Sequence, residues 1–80
     1  MPRFLIHHQH EPRECGVAYA SFKGCGSSVR HLPAIASCAF GGHAIWWTVE
    51  AAGENEALGL LPFFVAQRAT ATQVGEVEIP

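Results

Sequence analysis

The chain has 80 residues and a mass of 8.6 kDa, which fits one domain spanning 1–80. Hydrophobic residues make up 49%, yet 12 of them are Ala and three are Cys, leaving 24 larger side chains, a small core that calls for help from a metal, a disulfide or a second subunit. With five Lys and Arg against seven Glu and no Asp, the chain is too apolar for disorder and too poor in cations for a nucleic-acid face.

The first element is a strand, Arg3-Phe4-Leu5-Ile6-His7-His8-Gln9-His10, broken by Glu11-Pro12. Its interrupted histidine run sits within the strand pattern and reads as native sequence. Pro12 suits the first turn of a helix whose stripe is Cys15, Ala18, Tyr19 and Phe22, with Gly24 as the C-cap after Lys23. Gly24-Cys25-Gly26-Ser27-Ser28 is a loop by composition, followed by a short turn, Val29-Arg30-His31-Leu32, before Pro33. Ala34–Phe40 is predicted as a second strand, Gly41-Gly42 as a two-residue hairpin, and His43–Ala51 as the strongest strand, rich in β-branched and aromatic residues. Glu54-Asn55-Glu56 opens a second helix with stripe Leu58, Leu61 and Val65, which Pro62 must kink or split into two pieces. Thr70–Ile79 is the last predicted strand, with Gly75 as a bulge.

The order β-α-β-β-α-β defines an α+β, ferredoxin-like arrangement: a four-stranded antiparallel sheet in order 4-1-3-2, with two helices on one face. Within the strongest strand, Ile45, Trp47 and Val49 share one face and Trp46 takes the other, so the open face of the sheet is expected to be covered by a homodimer partner. Over its whole length the chain resembles short ferredoxin-like proteins of the dimeric α+β barrel type, through Phe4-Leu5-Ile6, Gly42–Glu50 and the closing Val77-Glu78-Ile79-Pro80. That broad group includes metal-binding proteins, small isomerases, monooxygenases and stress-response proteins. The resemblance implies the fold and a homodimer, and transfers no catalytic residue.

The topology gathers a second signal. His8 and His10 lie two apart in a strand and face the same way. Cys15 begins the first helix at the same end, where the helix N-terminus is expected to favour the thiolate. Cys38 ends a strand parallel to the first, and His43 follows the Gly-Gly turn beside His8 or His10. His8, His10, Cys15, Cys38 and His43 thus converge on one rim and form a candidate site for zinc, nickel or copper. No C-x-x-C or H-x-x-x-H pair is present, so the signal is one of topology and not of local spacing. Cys38 also reads as strand core and Cys15 as part of the helix stripe. Cys25 and His31 fall in loops outside the rim. No organic cofactor is evident.

Two other functions compete with sequestration or sensing of a metal. One is an isomerase or monooxygenase-like enzyme, with His8 or His43 as acid or base in a pocket walled by Trp46, Trp47 and Tyr19. The other is an interaction domain that uses its apolar surface, the Phe63-Phe64 pair included. The odd cysteine count, the absence of a leader-like start and the lack of any ~20-residue apolar run predict a cytoplasmic protein with reduced thiols and no membrane span.

Overall fold

A computed structural model describes residues 1–23, 25–26, 29 and 32–80. Four strands form one antiparallel sheet: β1 (Arg3–Gln9), β2 (Ile35–Ala36), β3 (Ala44–Glu50) and β4 (Ala69–Val74). Three short helices accompany them: α1 (Cys15–Ala20), α2 (Glu54–Gly59) and α3 (Phe63–Ala66). The strand order is β2-β3-β1-β4, or 2-3-1-4; listed from the β4 edge, the same neighbours read 4-1-3-2.

Alternation along β1 sets the two faces of the sheet. Phe4, Ile6 and His8 are buried, and His10 just beyond the strand keeps their parity and is buried too. In β3 the partners of Phe4, Ile6 and His8 are Val49, Trp47 and Ile45, all buried. The core is completed by Ala57, Leu61 and Val65 from the α2–α3 segment, with Phe22 packed against Trp47 at 5.8 Å between ring centroids. The other face carries Leu5, Thr48, Thr70 and Thr72, with Ile35 exposed at the β2 edge. There Trp46 is half buried and stacks on its cross-strand neighbour His7, at 5.3 Å and 13° between the ring planes.

The elements are shorter than their sequence patterns predict. The first helix starts as a 3-10 turn, Pro12–Glu14, because Pro12 fixes the first turn and the Glu11 amide donates to the Glu14 carboxylate at 2.9 Å. The expected cap at Gly24 and the turn around Arg30 and His31, like Ser27 and Ser28, lie outside the described residues. Only Ile35–Ala36 of the predicted second strand pairs with β3, and the tight hairpin at Gly41-Gly42 gives way to a longer connection containing a 3-10 turn, Cys38–Phe40. Ser37 causes this: its carbonyl accepts from the amides of Phe40 and Gly42, which coils the chain before it can extend. Pro62 does split the second helix, and its extended backbone (ψ 150°) starts α3 afresh, so the helical layer has three segments where two were expected. β4 stops at Val74 because its partner β1 begins at Arg3, behind Pro2, which has no amide to continue the ladder. Beyond that point Glu76 turns back to Arg3 at 3.6 Å.

Candidate metal centre

Four of the five rim residues come together. One ligand atom each of His10, Cys15, Cys38 and His43 lies within 4.8 Å of all the others. They arrive from the end of β1, the first turn of α1, the 3-10 turn after β2 and the residue before β3. A tetrahedral zinc ion with bonds of about 2.0–2.3 Å spaces its donors about 3.3–3.8 Å apart. Closing this group around an ion therefore needs side-chain movements of about 1 Å, without any change of fold.

The connection from β2 to β3 holds His43 in place. Ser37 takes the Ala44 amide on its hydroxyl at 3.1 Å and gives its own amide to the Ala44 carbonyl at 2.9 Å. Gly41 adopts φ +87°, a conformation natural to glycine, and a Cβ on Gly42 would collide with the Ser37 side chain. His43 follows with φ +51°, the one non-glycine residue with positive φ among the described residues. Such a backbone costs on the order of 1–2 kcal/mol for an L-residue, and it is retained here where the side chain faces the cluster. Its carbonyl accepts the His10 amide at 3.1 Å, which fixes the two histidines side by side with ring centroids 5.6 Å apart. The Nδ1 of His43 is buried and has no hydrogen-bond partner in the protein. A buried polar atom ordinarily has a partner, so this nitrogen marks His43 as a residue that could serve as a ligand.

His8 stands behind this group. It is fully buried, and both ring nitrogens are engaged: Nδ1 with the Val65 carbonyl at 3.1 Å, and Nε2 with His10 Nδ1 at 2.9 Å. A carbonyl can only accept, so His8 Nδ1 carries the proton. In neutral His8, Nε2 is then the acceptor, and His10 Nδ1–H is the donor. That leaves His10 Nε2 with its lone pair aimed at Cys38 Sγ, 3.5 Å away. The ring tautomer a metal needs is thus set by a partner on the far side of the imidazole. His8 was expected on the rim as a ligand; the structure places it one layer deeper, where it orients His10.

The electrostatics agree. Burial depresses the His8 pKa below the ordinary imidazole value, and burial with the neighbouring His43 does the same for His10, so both rings are held neutral, the form that binds metal. Cys15 behaves opposite to expectation. Burial and a hydrogen bond to Cys38 push its thiol pKa up. The 3-10 turn places the N-terminal end of the helical stretch at Pro12, one turn before Cys15, and Glu14 stands beside it. Tyr19 donates its hydroxyl to Cys38 Sγ at 3.5 Å, which together with burial raises the Tyr19 pKa to about 12. Glu14, whose carboxylate is held below its usual range by the Glu11 amide, pairs with Arg68 at 3.2 Å and ties the start of α1 to the start of β4. Cys25 is a free, half-buried thiol outside the cluster.

The enzyme reading fares differently. A pocket of about 300 Å³ is lined by Tyr19, Phe22, Val29, Leu32, Ala34, Ala36, Ile45 and Trp47. None of the described histidines lines it, and Trp46 belongs to a separate pocket of about 340 Å³ with Ile35 and Thr48. His8 and His43, expected there as acid or base, line neither of these two pockets. Among the described residues no helix is long and apolar enough to cross a membrane. Comparison with protein-family models, curated proteins and solved structures finds no match for this chain. The chemistry of the site must speak for itself: a small α+β protein with a four-donor His/Cys group able to hold a metal ion.

Proposed function

We propose that this protein binds one transition-metal ion, zinc foremost, through His10, His43, Cys15 and Cys38, to sequester or sense it. The observation that carries the reading is the group itself: one ligand atom each of His10, Cys15, Cys38 and His43 lies within 4.8 Å of all the others, and His43 keeps a buried Nδ1 without a hydrogen-bond partner. Two nitrogens and two thiolates are a donor set that zinc favours, and imidazole also suits nickel and copper. A tetrahedron filled by four protein donors leaves no position for a substrate, which favours holding a metal over metal catalysis. The reading includes a ferredoxin-like fold, a reducing cytoplasmic setting that keeps the thiols available, and self-association through the open sheet face around Trp46 and Ile35. Native mass spectrometry of untagged protein dialysed against zinc, and separately against nickel, tests the site. One bound ion per chain is expected; a metal-free spectrum from both dialyses refutes it. A monomeric mass by light scattering at micromolar concentration removes the self-association.

A further inference from the structure

We propose that Cys15 and Cys38 form a reversible disulfide, and that its closure dismantles the metal site. The first half stands on geometry alone; the second half rests on the metal reading above. The two sulfurs belong to the group whose ligand atoms all lie within 4.8 Å of one another. Both side chains are only half buried, so a small oxidant can reach them. Cys15 lies in the first turn of a six-residue helix, and Cys38 in a three-residue 3-10 turn. Neither is anchored inside a sheet ladder, so rotation about the two side chains can bring the sulfurs to the bonding distance of about 2.05 Å. Cys25 stands outside the group and is left as a bystander thiol.

The step balances with either of two common oxidant classes. In the metal-free chain, two thiols lose two electrons and two protons as the S–S bond forms. Hydrogen peroxide takes them up as its O–O bond breaks, giving two waters. A low-molecular-weight disulfide takes them up instead to give two thiols, by exchange through a mixed disulfide. In the metal-bound chain the sulfurs are already thiolates, so the two protons come from solvent and the metal ion leaves as the S–S bond closes. A disulfide sulfur is no longer a thiolate ligand, and the donor set falls from four to the imidazoles of His10 and His43.

The test treats the full untagged chain with hydrogen peroxide in two arms, metal-free and zinc-loaded, and maps the cysteines by peptide mass spectrometry. A Cys25→Ser variant is run alongside, together with Cys15→Ser and Cys38→Ser. In the metal-free arm the expected product is a Cys15–Cys38 disulfide, formed equally in Cys25→Ser and reversed by a dithiol reductant. In the zinc arm a chromogenic chelator is expected to report one zinc released per disulfide formed, and reduction restores binding. Pairing through Cys25, or conversion of Cys15 and Cys38 to sulfinic and sulfonic acids without pairing, overturns the proposal. So does a disulfide that forms while zinc stays bound. If the disulfide forms in a chain that takes up no zinc at the outset, the metal reading fails and the dithiol remains. If zinc binds and no such disulfide forms, only this inference fails.

Discussion

His8 Nε2 lies 2.9 Å from His10 Nδ1, and the hydrogen between them belongs to His10 because His8 has already given its own to the Val65 carbonyl. This contact links the helical layer to the rim: α3 orients His8, and His8 orients His10. His8→Gln is therefore expected to lower zinc affinity about 10–100-fold, the range for loss of a partner behind a ligating imidazole. Competition with a chelator of known affinity measures it. Nitrogen-15 spectra of the His10 ring provide the readout that general destabilisation would not move: the wild-type ring protonated at Nδ1 and the variant a mixture of tautomers. An unchanged tautomer and affinity would falsify the role.

His43 adopts φ +51° with a buried nitrogen unpaired, two features that each cost stability in the metal-free protein. His43→Gly should leave the metal-free fold as stable as wild type, or up to about 1 kcal/mol more stable. It should also weaken metal binding by more than the roughly 100-fold upper range for an outer partner. Urea denaturation and metal titration on the same samples check both halves. A variant that is clearly destabilised without metal would mean that His43 serves packing and not ligation.

Gly42 packs directly against Ser37, whose hydroxyl already accepts the Ala44 amide. A methyl group there displaces the side chain that anchors the start of β3. Gly42→Ala is predicted to cost about 1–3 kcal/mol, as overpacking generally does. Pairing it with Ser37→Gly should recover part of that loss, because the colliding side chain is then gone. A double mutant no better than the single one refutes the contact as the cause.

Acid should destabilise the metal-free chain through its buried histidines. His8 faces the Val65 carbonyl, Trp47, His10 and Arg68; His10 faces His43, Cys38, Tyr19 and Glu14. Both native pKa values lie below the ordinary 6.5. Below about pH 6.5 the unfolded chain takes up protons that the folded chain refuses, so stability falls with falling pH until the native rings themselves protonate. Above about pH 7 these groups contribute no slope. Denaturation midpoints between about pH 5 and pH 8 measure this, and a flat profile over that range contradicts it.

Much of the site could be read from residue order because it depends on strand parity and direction. His8 and His10 share a face, as a spacing of two in a strand requires, and β2 runs parallel to β1, which brings Cys38 to the end of β1. The amino acids around Trp47 show the same plain alternation. The remaining features depend on contacts that periodicity does not encode. The partner of His8 is a backbone carbonyl 57 residues away, so its ring could be taken for a ligand. Ser37 looks like an ordinary strand residue until its carbonyl is seen to gather two amides. The raised pKa of Cys15 follows from burial and from Cys38, 23 positions along the chain, neither of which helix position encodes. The positive φ of His43 had a signal in the preceding glycines, but that signal also fits a two-residue hairpin.

The donors are spread along the chain: His10 and His43 are 33 positions apart, and Cys15 and Cys38 are 23 apart. A C-x-x-C pair can grip an ion in an unfolded chain; here the nearest two donors are five residues apart, and no short chelate exists until the sheet is built. On the proposed reading, nearly all of the metal's affinity would therefore belong to the native state, and very little to the unfolded one. Thermodynamically, a bound ion would then be a reporter of completed folding. Its concentration would help to set the folded fraction of a domain whose own core is small, and an unfolded chain would compete for it only weakly.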